Sequence, residues 1–349
     1  MKPGPARLLA LLATATGLLL PAPTASATST ASASSATSTA STSFVFPGPG
    51  SYLHQSYDSA GDVYDYSLYV PSGYDPGTPS PLVVLLHGCN STADQRAQSS
   101  AFNEVAEQRH AIVLYPDGDA YDRLLNGRCW RAVTDPQGET RDRGDAAAIA
   151  GMTRAVAAAW NVDTSRTYAL GMSAGGFETS MLGADYPDLY AAIGVYSGAA
   201  YAHGLAGCAG PYLPTADTTA LAQQAFEQMG PRRRPVPVIL FHGDADPLVP
   251  YQCGLQALEQ WRRTDDLALA AQGLPAIPAR PTRSTDATVP GGRAYTTIEY
   301  GGLLEFWTVH GMAHTWSGGS TDPAVARFSD PTGPDASAAA WQFFARHHL

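Results

Sequence analysis

The chain has 349 residues, a formal net charge of −10 at pH 7 and four cysteines. So acidic a chain lacks the basic footprint of nucleic-acid recognition, and the lone run Arg232-Arg233-Arg234 beside prolines reads as a solvated loop. No Cys-x-x-Cys pair or Cys/His cluster has zinc-ligand spacing, so neither metal nor cofactor is expected.

Lys2 and Arg7 precede an apolar run over residues 8–20, followed by Ala25-Ser26-Ala27. This is the pattern of a secretory signal peptide over residues 1–27, too short for a membrane span. Residues 28–43 are Ser, Thr and Ala; they have nothing to bury and read as a disordered spacer. Residues 44–349 suffice for one large α/β domain. The expectation is a secreted, extracellular monomer. Two disulfides suit that compartment, and Cys89–Cys129 with Cys208–Cys253 is the favoured of three possible pairings.

Residues 63–70, rich in aromatic and β-branched side chains, predict an antiparallel edge strand ended by Pro71-Ser72-Gly73. Residues 81–86 form a continuous apolar run, as in a strand buried on both faces, and lead into His87-Gly88-Cys89-Asn90. A helix over 101–109 and a buried strand over 111–115, stopped by Pro116, come next. Residues 143–160 predict a helix with Ile149, Met152, Val156 and Trp160 on one stripe. Further strands are predicted over 190–196 and 238–241, a helix over 254–263, a strand pair over 294–299 and 305–309, and a closing helix over 335–346 with Trp341 and Phe344 on its apolar side. Strands alternating with helices predict a mostly parallel central sheet with helices on both faces.

The chemistry centres on Gly171-Met172-Ser173-Ala174-Gly175, a Gly-x-Ser-x-Gly run between a predicted strand and a predicted helix. Such a turn pushes the serine hydroxyl out of the sheet top. A serine hydroxyl is a weak nucleophile and needs a base, and an acid to orient that base. His87, His242, His310 and His314 all lie near strand ends, where an α/β site forms. In chain order the acid follows the serine and the histidine follows the acid. That order favours His314 over His310, which sits at the strand end itself. It favours Asp246 over Asp244, which reads as capping its own loop. Two backbone N–H groups are needed for the oxyanion, and Ala174 and Cys89 are the candidates. Asn90-Ser91-Thr92 is formally a glycosylation sequon, in a loop where modification is not expected.

Leu86-His87-Gly88-Cys89, Cys129-Trp130, the Ser173 run, His242-Gly243-Asp244-Ala245-Asp246 and Gly311-Met312-Ala313-His314-Thr315-Trp316-Ser317-Gly318-Gly319 together resemble secreted polyhydroxybutyrate depolymerases. That esterase family includes feruloyl and acetylxylan esterases. Tyr186-Pro187-Asp188-Leu189-Tyr190-Ala191-Ala192 is also similar, and the resemblance runs from about Val63 to the C-terminus. It implies an α/β-hydrolase fold, a Ser173–His314–Asp246 triad acting through an acyl-enzyme, and a Cys89–Cys129 bridge. Cys208 and Cys253 depart from the family pattern. Trp130 and Trp316, beside the motifs, are expected to line the acyl or alcohol groove, with core packing as the alternative. The expected substrate is a polymeric ester, a short-chain polyhydroxyalkanoate first, with feruloyl or acetyl groups on plant xylan as the alternative. A non-catalytic binding protein on a hydrolase scaffold is the reading of a different class.

Overall fold

The computed structural model describes residues 49–118, 128–208 and 216–349, with the side chain of Cys208 outside that description. The expected signal peptide, the spacer and the first residues of the domain therefore lie outside the described residues.

Strands β1 (Ser51–Ser59), β2 (Asp62–Val70) and β3 (Ser80–Leu86) are followed by helices α1 (Ala93–Ser100) and α2 (Phe102–Arg109) and strand β4 (Ile112–Pro116). Then come α3 (Asp145–Ala159), β5 (Val162–Met172), α4 (Ala174–Asp185), β6 (Ala192–Tyr196), α5 (Gly204–Cys208) and α6 (Thr218–Met229). The chain continues through β7 (Val238–Gly243), α7 (Tyr251–Ala271), β8 (Arg283–Thr288), β9 (Ala294–Tyr300) and β10 (Leu304–Val309) to α8 (Ala336–Phe344). Ten strands form one sheet in the order β1-β2-β4-β3-β5-β6-β7-β10-β9-β8. From β4 to β10 the neighbours run parallel; β1 and β2 at one edge and β9 and β8 at the other are antiparallel.

The apolar run of β3 shows why the sheet sits inside. All seven of its residues are buried. Successive side chains point to opposite faces. Leu82, Val84 and Leu86 join the core that packs against α3, α4, α6 and α7. Val83 and Leu85 join the core against α1, α2 and α8. Helices thus cover both faces, and the fold is the expected α/β-hydrolase. On α3 the stripe holds for Ile149, Met152 and Val156, all buried. Trp160 ends the helix half-buried, edge-on to Tyr74 with ring centroids 5.2 Å apart.

Several boundaries differ from the sequence reading. The predicted edge strand is β2, but β1 pairs along its whole length and takes the edge. The predicted helix over 101–109 is α2; α1 precedes it, and the two are separated at Ala101, whose φ is 53°. Helix α7 runs for 21 residues rather than ending near 263. The Cys89–Cys129 disulfide is present. Cys253 is buried and disulfide-bonded, and the expected partner Cys208 has its side chain outside the described residues.

Candidate active site

The C-terminal ends of β3, β5, β7 and β10 carry the motif loops on one rim of the sheet, where sites of open α/β sheets form. Ser173 joins β5 to α4 with φ 58° and ψ −123°, a conformation that side-chain-bearing residues rarely adopt. Its N–H donates to the Tyr196 carbonyl at 2.9 Å and its own carbonyl accepts from Gly176 and Phe177, so the strained residue is pinned from both sides. The hydroxyl does not cap α4. Gly175 explains the second glycine of the motif. A Cβ there would meet the carbonyl oxygens of Leu86 and His87 at 2.6 Å.

Asp246 follows β7. Its Oδ1 accepts from the N–H groups of Leu248 and Val249, both at 2.9 Å, and its Oδ2 accepts from His314 Nδ1 at 2.6 Å. Burial raises this carboxyl, but the His314 ring and the two amides outweigh it and hold it below the usual range. His242 lies on the same rim, buried, and its Nε2 donates to the Val249 carbonyl at 2.8 Å. Burial pushes that imidazole down, so it packs as a neutral ring.

A second pair lies beside the first. His310 Nδ1 donates to Asp244 Oδ2 at 2.8 Å, and its Nε2 contacts Thr296 Oγ1 at 2.9 Å. Both His310 nitrogens are therefore engaged, and both side chains of this pair are substantially exposed. By contrast, the His314–Asp246 pair is nearly buried, and among the described residues His314 Nε2 has no partner. Of these two pairs, the His314–Asp246 pair is the one that leaves an imidazole nitrogen available to a serine. Asp244 also accepts from the Gly311 N–H at 2.6 Å, so it fastens the loop that leads to His314. Among the described residues no hydrogen bond joins the Ser173 hydroxyl to the His314 ring; catalytic contacts of this kind commonly tighten only with substrate in place.

The loop after β3 crosses directly over the serine. A Cβ on Gly88 would lie 3.1 Å from Ser173 Cβ. His87, fully buried, accepts from the Gly118 N–H on Nε2 at 2.9 Å, which leaves Nδ1 to donate to the Gly88 carbonyl at 2.7 Å. That carbonyl belongs to the same peptide as the Cys89 N–H, so the bond fixes the direction of the candidate oxyanion donor. The disulfide to Cys129 and the Asn90 N–H to Arg128 carbonyl bond, 2.9 Å, fasten the loop from the other side. Among the described residues neither the Cys89 nor the Ala174 amide has a protein acceptor.

Trp130 and Trp316 do not line a groove. Both are fully buried. Trp130 donates its indole N–H to the His87 carbonyl at 2.8 Å and lies tilted on the His87 ring. Trp316 stacks on Tyr196, donates to Ser337 Oγ at 3.1 Å and lies under the Arg96 guanidinium. Each indole needs an internal acceptor for its N–H and finds one, so the core-packing alternative holds. The sequence reading also missed three carboxylates, Glu139, Asp145 and Glu178, that meet below the start of α4. Nothing in their spacing announces a cluster.

Fold and site together define a serine hydrolase arrangement on an α/β-hydrolase sheet. Residues 64–275 match the family described as Esterase PHB depolymerase. The chain belongs to that family and is a carboxylic ester hydrolase. It is 33% identical over 205 residues to feruloyl esterase B of Neurospora crassa, covering 55% of this chain and 67% of that protein. It is 27% identical over 266 residues to a probable acetylxylan esterase A of Neosartorya fischeri, covering 71% of this chain and 65% of that protein. In fold it is similar to an acetyl xylan esterase from Aspergillus awamori, with a TM-score of 0.65 at 21% identity, over 85% of this chain and 99% of the other. Among the described residues no helix is long and apolar enough to cross a membrane.

Proposed function

We propose that the protein is a secreted serine esterase that removes acyl groups, feruloyl or acetyl, from plant cell-wall polysaccharide, with Ser173, His314 and Asp246 as its catalytic residues. The observation that carries the mechanism is the 2.6 Å bond from His314 Nδ1 to the buried Asp246 carboxylate, which leaves Nε2 available on the serine's rim. His314 takes the Ser173 proton as the hydroxyl attacks the ester carbonyl. Asp246 holds the ring in that tautomer and stabilises the imidazolium. The Cys89 and Ala174 amides receive the oxyanion. His314 then protonates the leaving alcohol, and water repeats the sequence on the acyl-enzyme. The substrate class rests on the feruloyl and acetylxylan esterase relatives. Secretion rests on the leader pattern of residues 1–27.

The family description favours a second reading, hydrolysis of a short-chain polyhydroxyalkanoate. A panel of methyl ferulate, acetylated xylan and amorphous polyhydroxybutyrate separates the two. The expected result is release of ferulate or acetate with little hydroxybutyrate. Hydroxybutyrate as the dominant product overturns the polysaccharide reading and leaves the mechanism standing. Activity surviving in Ser173→Ala overturns the mechanism.

A further inference from the structure

Glu139, Asp145 and Glu178 come from three places in the chain: the loop before α3, the first residue of α3, and the second turn of α4. All three are buried, and one oxygen from each lies within 4.8 Å of the others. Oxygens held about 2.4 Å from one calcium ion can be at most about 4.8 Å apart, so the three are close enough to be gathered around one ion with small side-chain movements.

The protein satisfies only part of this cluster. Asp145 accepts from Tyr64 Oη at 2.8 Å and from the Arg131 N–H at 2.7 Å. Glu139 accepts from the N–H groups of Asp145 and Ala146 at 3.2 and 2.8 Å. Glu178 receives one long bond, 3.4 Å from the Ala132 N–H to Oε2. Its Oε1, fully buried, has no hydrogen-bond partner among the described residues. One described guanidinium faces the group: Arg131 Nε lies 3.4 Å from Glu139 Oε1, and Arg131 is shared with Asp135 at 4.0 Å. Among the described residues the three carboxylates therefore outnumber the cationic groups that face them. Buried charge is paired, coordinated to metal or neutralised by protons. Burial and mutual repulsion push Glu139 up to about 8 and Glu178 well above the carboxylate range, so protons are the competitor.

We propose that Glu139, Asp145 and Glu178 form a structural site for a hard divalent cation, calcium foremost, beneath the first turns of α3 and α4. An all-oxygen donor set suits calcium or magnesium and not zinc. The burial of all three carboxylates favours calcium, because magnesium keeps several waters and demands an octahedron. Such an ion ties α4, which begins at the residue after Ser173, to the segment after Cys129-Trp130. It therefore braces the nucleophile's helix against the disulfide-bearing loop without touching the reacting atoms.

The test uses the full chain, stripped with EDTA at pH 7.5 and melted with 1 mM calcium, 1 mM magnesium or neither. Calcium is expected to raise the wild-type midpoint by roughly 5 °C or more if it saturates the site, and magnesium by less. Elemental analysis after dialysis should find one calcium per chain. Glu178→Gln and Glu139→Gln, which keep the shape and remove charge, should each lose the rise and the bound ion. A rise that both variants retain means binding at surface carboxylates and overturns the proposal. An unchanged wild-type midpoint with no retained metal overturns it as well, and leaves a cluster neutralised by protons. A magnesium effect larger than the calcium effect keeps the site and overturns the choice of ion.

Discussion

The backbone of Ser173 makes a prediction that does not depend on the substrate. At φ 58° and ψ −123° the residue occupies a region that glycine enters freely and a Cβ-bearing residue does not. Holding it there costs on the order of 1–3 kcal/mol. Ser173→Ala keeps the Cβ and the strain. Ser173→Gly removes both, at a loss of about 0.4–1 kcal/mol for the freer unfolded chain. The glycine variant should therefore be more stable than the alanine variant by about 1–2 kcal/mol, or roughly 2–3 °C in melting midpoint for a domain of this size. Both variants lack the proposed nucleophile, so turnover does not complicate the comparison. Calorimetry of the two proteins under one buffer condition decides it. If Ser173→Gly melts at or below Ser173→Ala, the strain assigned to this turn is not stored in the folded state.

Asp246→Asn should keep its fold, because an amide oxygen can still accept from Leu248 and Val249, but its NH₂ would face His314 Nδ1 and force the wrong tautomer. We expect kcat to fall about 10⁴-fold, while His310→Ala, which removes the exposed neighbouring pair, changes it by no more than a few-fold; equal losses in both would undo the assignment. Gly175→Ala places a Cβ 2.6 Å from two carbonyl oxygens of the loop after β3. It should cost about 1–3 kcal/mol in urea unfolding and lower kcat as that loop lifts. Asp185 supplies a pH dependence. Burial pushes its carboxyl from 3.8 up to about 7, against Gln228 and Arg141. A raised acid binds its proton more tightly when folded, so its contribution is complete below pH 3.8 and is lost as pH rises through 7, by as much as about 4 kcal/mol. Asp185→Asn should therefore gain on wild type between pH 5 and pH 8, read from urea midpoints; an unchanged gap at the two pH values contradicts it.

What could be read from the sequence follows burial. Strands β3 to β7 are apolar runs because both faces are covered, and their positions were visible. Strands β1 and β8 were not, since Ser51–Ser59 is mostly exposed or half-exposed and Arg283–Thr288 almost wholly exposed. They join the sheet through backbone bonds, which leave no hydropathy signal. Helix α1 hid for another reason: it buries small and polar side chains, Ala93, Ala97, Ser99 and Ser100, with Arg96. At the rim, motif order placed Asp246 and His314 in neighbouring loops, and the structure pairs them. Proximity to a motif misplaced Trp130 and Trp316, because a neighbour along the chain can face into the core. The carboxylate cluster was invisible because its members are brought together by three separate elements.

The arrangement of the rim also explains why the motifs are built from glycine and small residues. Gly88 lets the loop after β3 pass within contact of Ser173 Cβ, and Gly175 lets α4 start against the Leu86 and His87 carbonyls. At the end of β7, a Cβ on Gly243 would collide with the Met312 carbonyl oxygen and lie 3.0 Å from that of Ala313, the residue before His314. Each loop of the candidate site thus rests on another through backbone, where no rotamer can absorb a shift. Hydrogen bonds then fix direction: His87 turns the Gly88–Cys89 peptide, and Asp244 holds the Gly311 amide. Backbone contacts set the spacing of the loops and buried side chains set their orientation. The serine's place on the rim is therefore decided by atoms that take no part in the chemistry.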